Sequence, residues 1–360
     1  MRKQQQASSD KMANTRAQAS PDVHRKSPGD THDPGHDHKH EGDAGQRVEQ
    51  AEQDEHICSP DCEHAMPEGI YVISGSSPVP SADRLKLGAK NLRKLGFKVK
   101  VDRSAALQTG RFAGTDAQRL QAIERSLEQP YPIVMASRGG YGMSRLLGQI
   151  NWNAVADSGK RFVGHSDFTA FNLALLARTG AVSYTGPNVS TDFGEDSPNE
   201  LTRDMFVEVM RNELEILSFE SPDSDAFDGR GVLWGGNLAM LVSLLGTPFF
   251  PKIRGGILFV EDVNEHPYRV ERMLLQLAHA GVLARQKALV LGHFTEYKQV
   301  AHDHGYGLPD VIAYIRKTVG IPVVTGLPYG HTPVKVTLPI GMRVGLATED
   351  GMGYLVLQEH

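Results

Sequence analysis

At four places in the chain, reactive side chains directly follow an apolar run. These are Ser137-Arg138-Gly139-Gly140, Gly164-His165-Ser166-Asp167, Glu261-Asp262 and Gly330-His331. The position matters because open α/β sheets bind ligands beyond the carboxyl ends of their strands. Ser166 is the strongest nucleophile candidate, since it stands between an apolar strand, RFVG, and an apolar helix, FTAFNLALL. A serine at such a turn raises its hydroxyl above the sheet. The helix behind it offers unpaired N–H groups and a positive dipole end to a developing oxyanion. The segment is similar to a nucleophile elbow, although G-x-S-D lacks the second glycine of G-x-S-x-G. The competing role for Ser166 or Asp167 is to cap that helix.

A serine nucleophile needs a base and an acid that orients it. Glu261 follows the strand ILFV, where a carboxylate is out of place unless it is exposed at a sheet edge or used; Asp262 and Glu265 are its rivals. His331 lies on a turn-rich loop, PYGHTPVKV, and competes with His165, His293 and His266 as the base. His165 adjoins Ser166, and neighbours along a chain usually point apart. The order Ser, Glu, His matches one of the chain orders in which such triads are assembled. In SRGGYGMS the glycines let backbone approach a substrate and aim N–H groups at an anion, so Arg138 and Gly139 are candidate substrate contacts. G-x-G-x-x-G is absent there, which excludes a dinucleotide fingerprint. WGGN at 234–237 forms a second candidate pocket wall, with Trp234 as its lid and Asn237 beside it; otherwise Trp234 is a core residue against a glycine turn.

Regular elements must carry these groups. From Gly69 the chain alternates strands and helices: GIYVI, ADRLKLGAKNLRKLGF, KVKV, DAQRLQAIERSL, YPIVMAS, a helix starting on GGYGMSRLLGQI, KRFVGHSD, then FTAFNLALLARTG. Such alternation means a parallel sheet with helices on both faces. The expected organisation is an α/β nucleophile domain over 67–189 and an acidic, Pro/Ser-rich connecting segment over 190–230 around one helical patch. A β-rich domain over 231–360 then carries the acid and the base. That last stretch is interrupted by two good helices, RVERMLLQLAHAG and LPDVIAYIRKTVG.

Composition narrows the function. Of 38 Lys/Arg and 43 Asp/Glu in 360 residues, residues 1–66 hold 8 and 13, so the net charge of −5 belongs wholly to that segment. Its only Leu, Ile, Phe, Trp or Tyr is Ile57, so it is expected to form a disordered tail. HDPGHDHKH could hold a divalent metal loosely, and His56, Cys58, Cys62 and His64 are zinc-type ligands at tight spacing. With nothing nearby to pack around a closed site, an unstructured polar leader is the favoured expectation there. The start lacks the apolar core of a secretory signal, which leaves a cytoplasmic location as the default. No apolar stretch approaches the ~20 residues that span a bilayer, which argues against a channel or transporter. The balanced body argues against a nucleic-acid binder. With Cys58 and Cys62 the only cysteines, both a disulfide framework and a cysteine nucleophile in the body are excluded.

Taken together, SRGGYG, GHSDFTA, WGGNLAMLVSLLGTP, FVEDVNEHPYRVERML and GLPYGHTPVKVTLPIG resemble the LD-carboxypeptidase family. These are serine peptidases that also include the microcin C self-immunity proteins. The resemblance spans roughly 69–358. It implies a Rossmann-like N-terminal domain and a β-rich C-terminal domain with the site in the cleft between them. It assigns Ser166 as nucleophile, Glu261 as triad acid and His331 as base. The backbone N–H groups of Asp167 and of the Gly139-Gly140 turn become the oxyanion site. It also implies release of terminal D-Ala from murein tetrapeptides in the cytoplasm by a homodimer, with no metal or organic cofactor. One alternative, inside the family, is hydrolysis of a peptidyl-nucleotide antibiotic, for which Trp234, Phe219 and Phe227 are the stacking candidates. The other is a non-catalytic two-domain ligand-binding protein.

Overall fold

The computed structural model describes residues 69–358, which lie within one compact unit. The expected tail at 1–66, its histidines, and Cys58 and Cys62 lie outside the described residues. Strands β1 (Gly69–Ile73), β2 (Lys98–Val101), β3 (Ile133–Ala136), β4 (Arg161–Gly164) and β5 (Ser183–Thr185) are parallel neighbours in the order β5-β4-β3-β1-β2. Central strands β1 and β3 are buried at every residue, as expected of parallel strands covered on both faces. Between the strands run helices α1 (Ala82–Lys94), α2 (Asp116–Glu128), α3 (Trp152–Asp157) and α4 (Thr169–Thr179). Ser81 caps α1 by accepting from the Arg84 N–H, and Thr115 with Gln118 forms a capping box on α2.

The second half adds helix α5 (Glu200–Arg211), then strands β6 (Ile216–Glu220) and β7 (Asp228–Asn237) and helix α6 (Leu238–Ser243). Strand β8 (Ile257–Val263), helix α7 (Pro267–His279), strand β9 (Ala288–Thr295) and helix α8 (Leu308–Val319) follow. Short β10 (Val323–Val324), β11 (Leu338–Ile340), β12 (Arg343–Glu349) and β13 (Met352–Val356) complete the described chain. The second sheet has the order β10-β9-β8-β7-β12-β13-β6. Its β10, β9, β8 and β7 are parallel, and the remainder is antiparallel. The fold is thus α/β with a parallel N-terminal sheet and a β-rich C-terminal half.

Three local expectations change. The stretch 190–230 is not only a connector around one helix, here α5: its β6 pairs with β13 at the edge of the second sheet. Leu217 and Phe219 of β6 are buried while Ile216, Ser218 and Glu220 are exposed, a period of two that the acidic flanks obscure. GGYGMSRLLGQI forms a short 3₁₀ turn at Met143–Arg145 and further hydrogen-bonded turns up to Ile150 instead of an α-helix, with the Met143 N–H accepted by the Asp167 carboxylate at 2.8 Å. Strand β11, from the C-terminal half, pairs antiparallel with β5 and so belongs to the first sheet. Among the described residues no helix is long and apolar enough to cross a membrane.

Helix α2 is pinned to the first sheet through Asp102, just beyond β2. Its buried carboxylate accepts from the Tyr71 hydroxyl at 2.6 Å and from Arg125 Nε and Nη2 at 2.9 and 2.8 Å. Burial alone would raise the Asp102 pKa, but hydrogen bonds from Arg125, Ser104 and Tyr71 hold it well below the usual carboxylate range. A depressed carboxylate stabilises the fold above the unfolded pKa of about 3.9 and loses that contribution as pH falls further. Arg125→Met leaves the charge buried without its partner and is expected to lower the unfolding free energy by ~3–5 kcal/mol in a urea titration at neutral pH. A loss within the ~0–1 kcal/mol of an exposed ion pair would contradict this.

Candidate active site

Ser166 follows β4 through Gly164 and His165 and opens a short turn, Ser166–Phe168, that runs directly into α4. Its φ of 64° is left-handed, which costs a non-glycine residue ~1–2 kcal/mol and persists only where packing dictates it. The packing here is Gly139, where an added Cβ would stand 2.6 Å from Ser166 Cβ and 3.0 Å from its Oγ. Gly140 next to it has φ 100°, closed to L side chains, and a Cβ there would meet Ser77 Oγ at 2.3 Å. The SRGG turn and the serine turn therefore sit backbone against side chain. Asp167 does not cap α4. It is fully buried, and its Oδ2 accepts the Met143 N–H, which ties the glycine loop to the serine turn. Burial raises its pKa.

Glu261 is also fully buried. It lies in β8 where the pairing with β9 slips: Val260 faces Leu291 but Asp262 faces Phe294, so β9 carries an extra residue opposite Glu261. Such bulges re-aim side chains near functional sites. His331 Nδ1 lies 2.8 Å from Glu261 Oε2, and Asn237 Nδ2 donates to Glu261 Oε1 at 3.2 Å. The His331 loop is held from β9, where the His293 N–H donates to the Tyr329 carbonyl at 2.8 Å and the Thr295 hydroxyl to the His331 carbonyl at 3.3 Å. The His331 ring stands 4.4 Å from the ring of His165, the residue before Ser166. Ser166 Oγ makes no hydrogen bond to either histidine among the described residues.

The rival residues are engaged elsewhere. Asp262 accepts from Ala239 N, Val263 N and Asn237 Nδ2 at 2.8–2.9 Å, and burial pushes its pKa up to about 6. Glu265 pairs with Arg269 one helical turn on. His293 is exposed, and the His266 ring stacks on Tyr268.

Two expected substrate contacts change role. Trp234 is no lid: it is fully buried in β7, its indole N–H donates to Gln286 Oε1 at 2.9 Å, and Phe250 packs edge-on against it. Asn237 is 5 % exposed and its amide is committed to Glu261 and Asp262, so it holds those carboxylates in place. Its own N–H is accepted by the Thr169 hydroxyl at 3.1 Å, a link from the second sheet to the start of α4. Arg138 flanks the Gly139 turn and donates through Nη1 to the Pro78 carbonyl at 2.8 Å.

Sequence reasoning set His165 aside. The side chain turns inward instead, fully buried, with Nε2 3.8 Å from Glu261 Oε1 and Tyr329 edge-on at 5.3 Å. Alternation along an extended chain misplaces it because the left-handed Ser166 redirects the backbone immediately afterwards. Tyr329 in turn bonds Thr185 of β5 through its hydroxyl.

The chain matches the LD-carboxypeptidase N-terminal domain over residues 70–186 and the C-terminal domain over 230–346. The chain belongs to the LD-carboxypeptidase family. A probable murein peptide carboxypeptidase of Bacillus subtilis is 32 % identical over 286 residues, covering 78 % of this chain and 89 % of that protein. The crystal structure of muramoyltetrapeptide carboxypeptidase from Oxalobacter formigenes has a TM-score of 0.77 at 44 % identity, covering 81 % and 99 %. The Escherichia coli microcin C7 self-immunity protein MccF is 25 % identical over 309 residues, covering 77 % and 89 %. Carboxypeptidase activity is what this family membership indicates.

Burial drives the His165 pKa well below its ordinary value, and the nearby Lys335 ammonium adds to the effect. A histidine kept neutral in the fold but protonated in the unfolded chain makes stability fall as pH drops below about 6.5. Asp262, raised to about 6, works in the opposite sense between about 3.9 and 6. His165→Phe is expected to remove up to ~1.4 kcal/mol per pH unit of acid-side slope from the unfolding free energy between pH 6.5 and 5. Parallel stability–pH curves for the two proteins would show that His165 titrates normally.

Proposed function

We propose that this protein is a serine LD-carboxypeptidase that releases the terminal D-Ala of murein tetrapeptides by Ser166–His331–Glu261 acyl transfer. The observation that carries the proposal is the buried Glu261 carboxylate 2.8 Å from His331 Nδ1, with the His331 ring beside the turn that bears Ser166. Next to an ionised carboxylate, which can only accept, Nδ1 must carry the proton; Nε2 is then the lone-pair base. His331 takes the Ser166 proton as Oγ attacks the carbonyl before D-Ala. The oxyanion rests on backbone N–H groups at Asp167, in the first turn of a helix where no intrahelical acceptor exists, and at the Gly139-Gly140 turn. The C–N bond breaks, His331 returns the proton to the departing amine, and D-Ala leaves an acyl-serine. Water then attacks, giving its proton to His331 and on to Ser166 as the ester opens. General-base help contributes ~10²–10⁴-fold and each oxyanion donor ~10²–10³-fold.

Arg138 beside the Gly139 turn is the group we assign to the substrate carboxylate. Recognition of the D-residue follows from shape, because its side chain and carboxylate exchange places relative to an L-residue. The reading includes a cytoplasmic location and a homodimer. The alternative peptidyl-nucleotide substrate requires an aromatic stacking face. Trp234 and Phe219 are buried, and the Phe227 ring lies over Gly229, which weighs against it.

Ser166→Ala is expected to reduce D-Ala release from a tetrapeptide by ~10⁴–10⁶-fold while the fold and peptide binding persist. Undiminished release would remove Ser166 from the mechanism. All-L and pentapeptide analogues should be poor substrates in the same assay. Gly139→Ala should push Ser166 out of line and lower kcat ~10²-fold with an unchanged circular dichroism spectrum.

A further inference from the structure

His165 plays no part in the proton relay, yet its Nε2 is buried and has no hydrogen-bond partner. Buried polar atoms without partners are rare and call for an explanation. This one faces Glu261 Oε1 at 3.8 Å, and on the other side of that carboxylate lies His331 at 2.8 Å. One donor atom from each of His165, Glu261 and His331 falls within 4.8 Å of the other two. Two imidazoles and a carboxylate are the ligand types of a three-protein-ligand zinc site, whose bonds of ~2.0–2.2 Å place donors roughly 3–4 Å apart. Contraction by about an ångström lies within side-chain adjustment, and His331, 23 % exposed, leaves an approach and a fourth position open.

We infer that His165, Glu261 and His331 form an inhibitory site for a divalent transition metal, zinc above all. An ion bound there displaces the His331 Nδ1 proton, which passes to Nε2, and takes the carboxylate that orients the ring, so Ser166 loses its base. The ion does not enter the reaction; it switches the site off reversibly. The effect on catalysis rests on the proposed triad, whereas the binding site does not.

The test uses the full chain and Zn²⁺, with affinity and stoichiometry measured by competition against a fluorescent chelator, and tetrapeptide hydrolysis measured alongside. Wild type should bind one more tight zinc than His165→Phe, a variant that keeps an aromatic ring against Tyr329. The histidines and cysteines before residue 66 contribute equally to both proteins. Loss of an outer partner already weakens metal sites ~10–100-fold, so loss of this ligand should shift zinc inhibition of hydrolysis by at least about 100-fold. Chelator should restore wild-type activity. His331→Phe, read by binding alone, should also lack that zinc and guards against a folding defect in the first variant. Equal stoichiometry and affinity in wild type and both variants would overturn the inference. If no protein hydrolyses the peptide but the binding difference stands, the metal site holds and the peptidase reading fails.

Discussion

A carboxylate with no exposed surface lies at the junction of the two sheets, and the arrangement around it follows from that constraint. Burying Glu261 removes an ionisable oxygen pair from water, at a penalty of several kcal/mol per ion even after relaxation. The fold tolerates this only if polar partners converge on both oxygens. Asn237 comes from the end of β7, 24 positions away, and His331 from a loop 70 positions away. Neither can drift without exposing the other's partner. The bulge opposite Glu261 and the two hydrogen bonds that tie the His331 loop to β9 are the local means of holding this geometry.

The same convergence joins the halves of the molecule. Asn237, which holds Glu261, also donates its backbone N–H to Thr169 at the head of α4, the helix that follows Ser166. Tyr329, two residues before His331, reaches Thr185 on β5 and packs edge-on against both His165 and Phe259. Strand β11 crosses over to pair with β5. The serine turn and the Glu261–His331 pair are thus fixed relative to each other by hydrogen bonds that span the two sheets, a rigid scaffold of the kind the proposed acyl transfer requires. The left-handed Ser166 fits this picture, since its strain is maintained by Gly139 in contact with its side chain and by Asp167 gripping the glycine loop.

Legibility in the sequence tracked how local the determining interaction is. Strand β1, helices α1 and α4, and strand β8 carry their period or apolar run within a few residues, so their existence can be read directly. Glu261 stood out because a charge ending an apolar strand has to be satisfied somewhere. Strand β6 was obscured by acidic neighbours, and β11 is a three-residue strand whose partner lies more than 150 positions upstream. Trp234 before two glycines reads equally as pocket wall or core; Gln286, 52 positions on, decides for the core by accepting its indole N–H. Asn237 is similar, for only the fold reveals that both amide hydrogens are spent on carboxylates.

His165 shows how one backbone angle can change the meaning of a residue. On an extended strand it would point away from the chemistry of its neighbour. With Ser166 at φ 64°, the chain turns at once, and His165 packs behind the Glu261–His331 pair while Ser166 stands at the head of α4. A second imidazole at that place serves two physical ends. It packs against the hidden side of the Glu261 carboxylate, and burial disfavours a second positive charge there. A neutral imidazole is also a metal ligand, so the features that suit the pocket for orienting His331 make it a snare for a soft divalent ion. The proposed catalytic order and the proposed susceptibility to metal then share one cause: two imidazoles packed against one buried carboxylate.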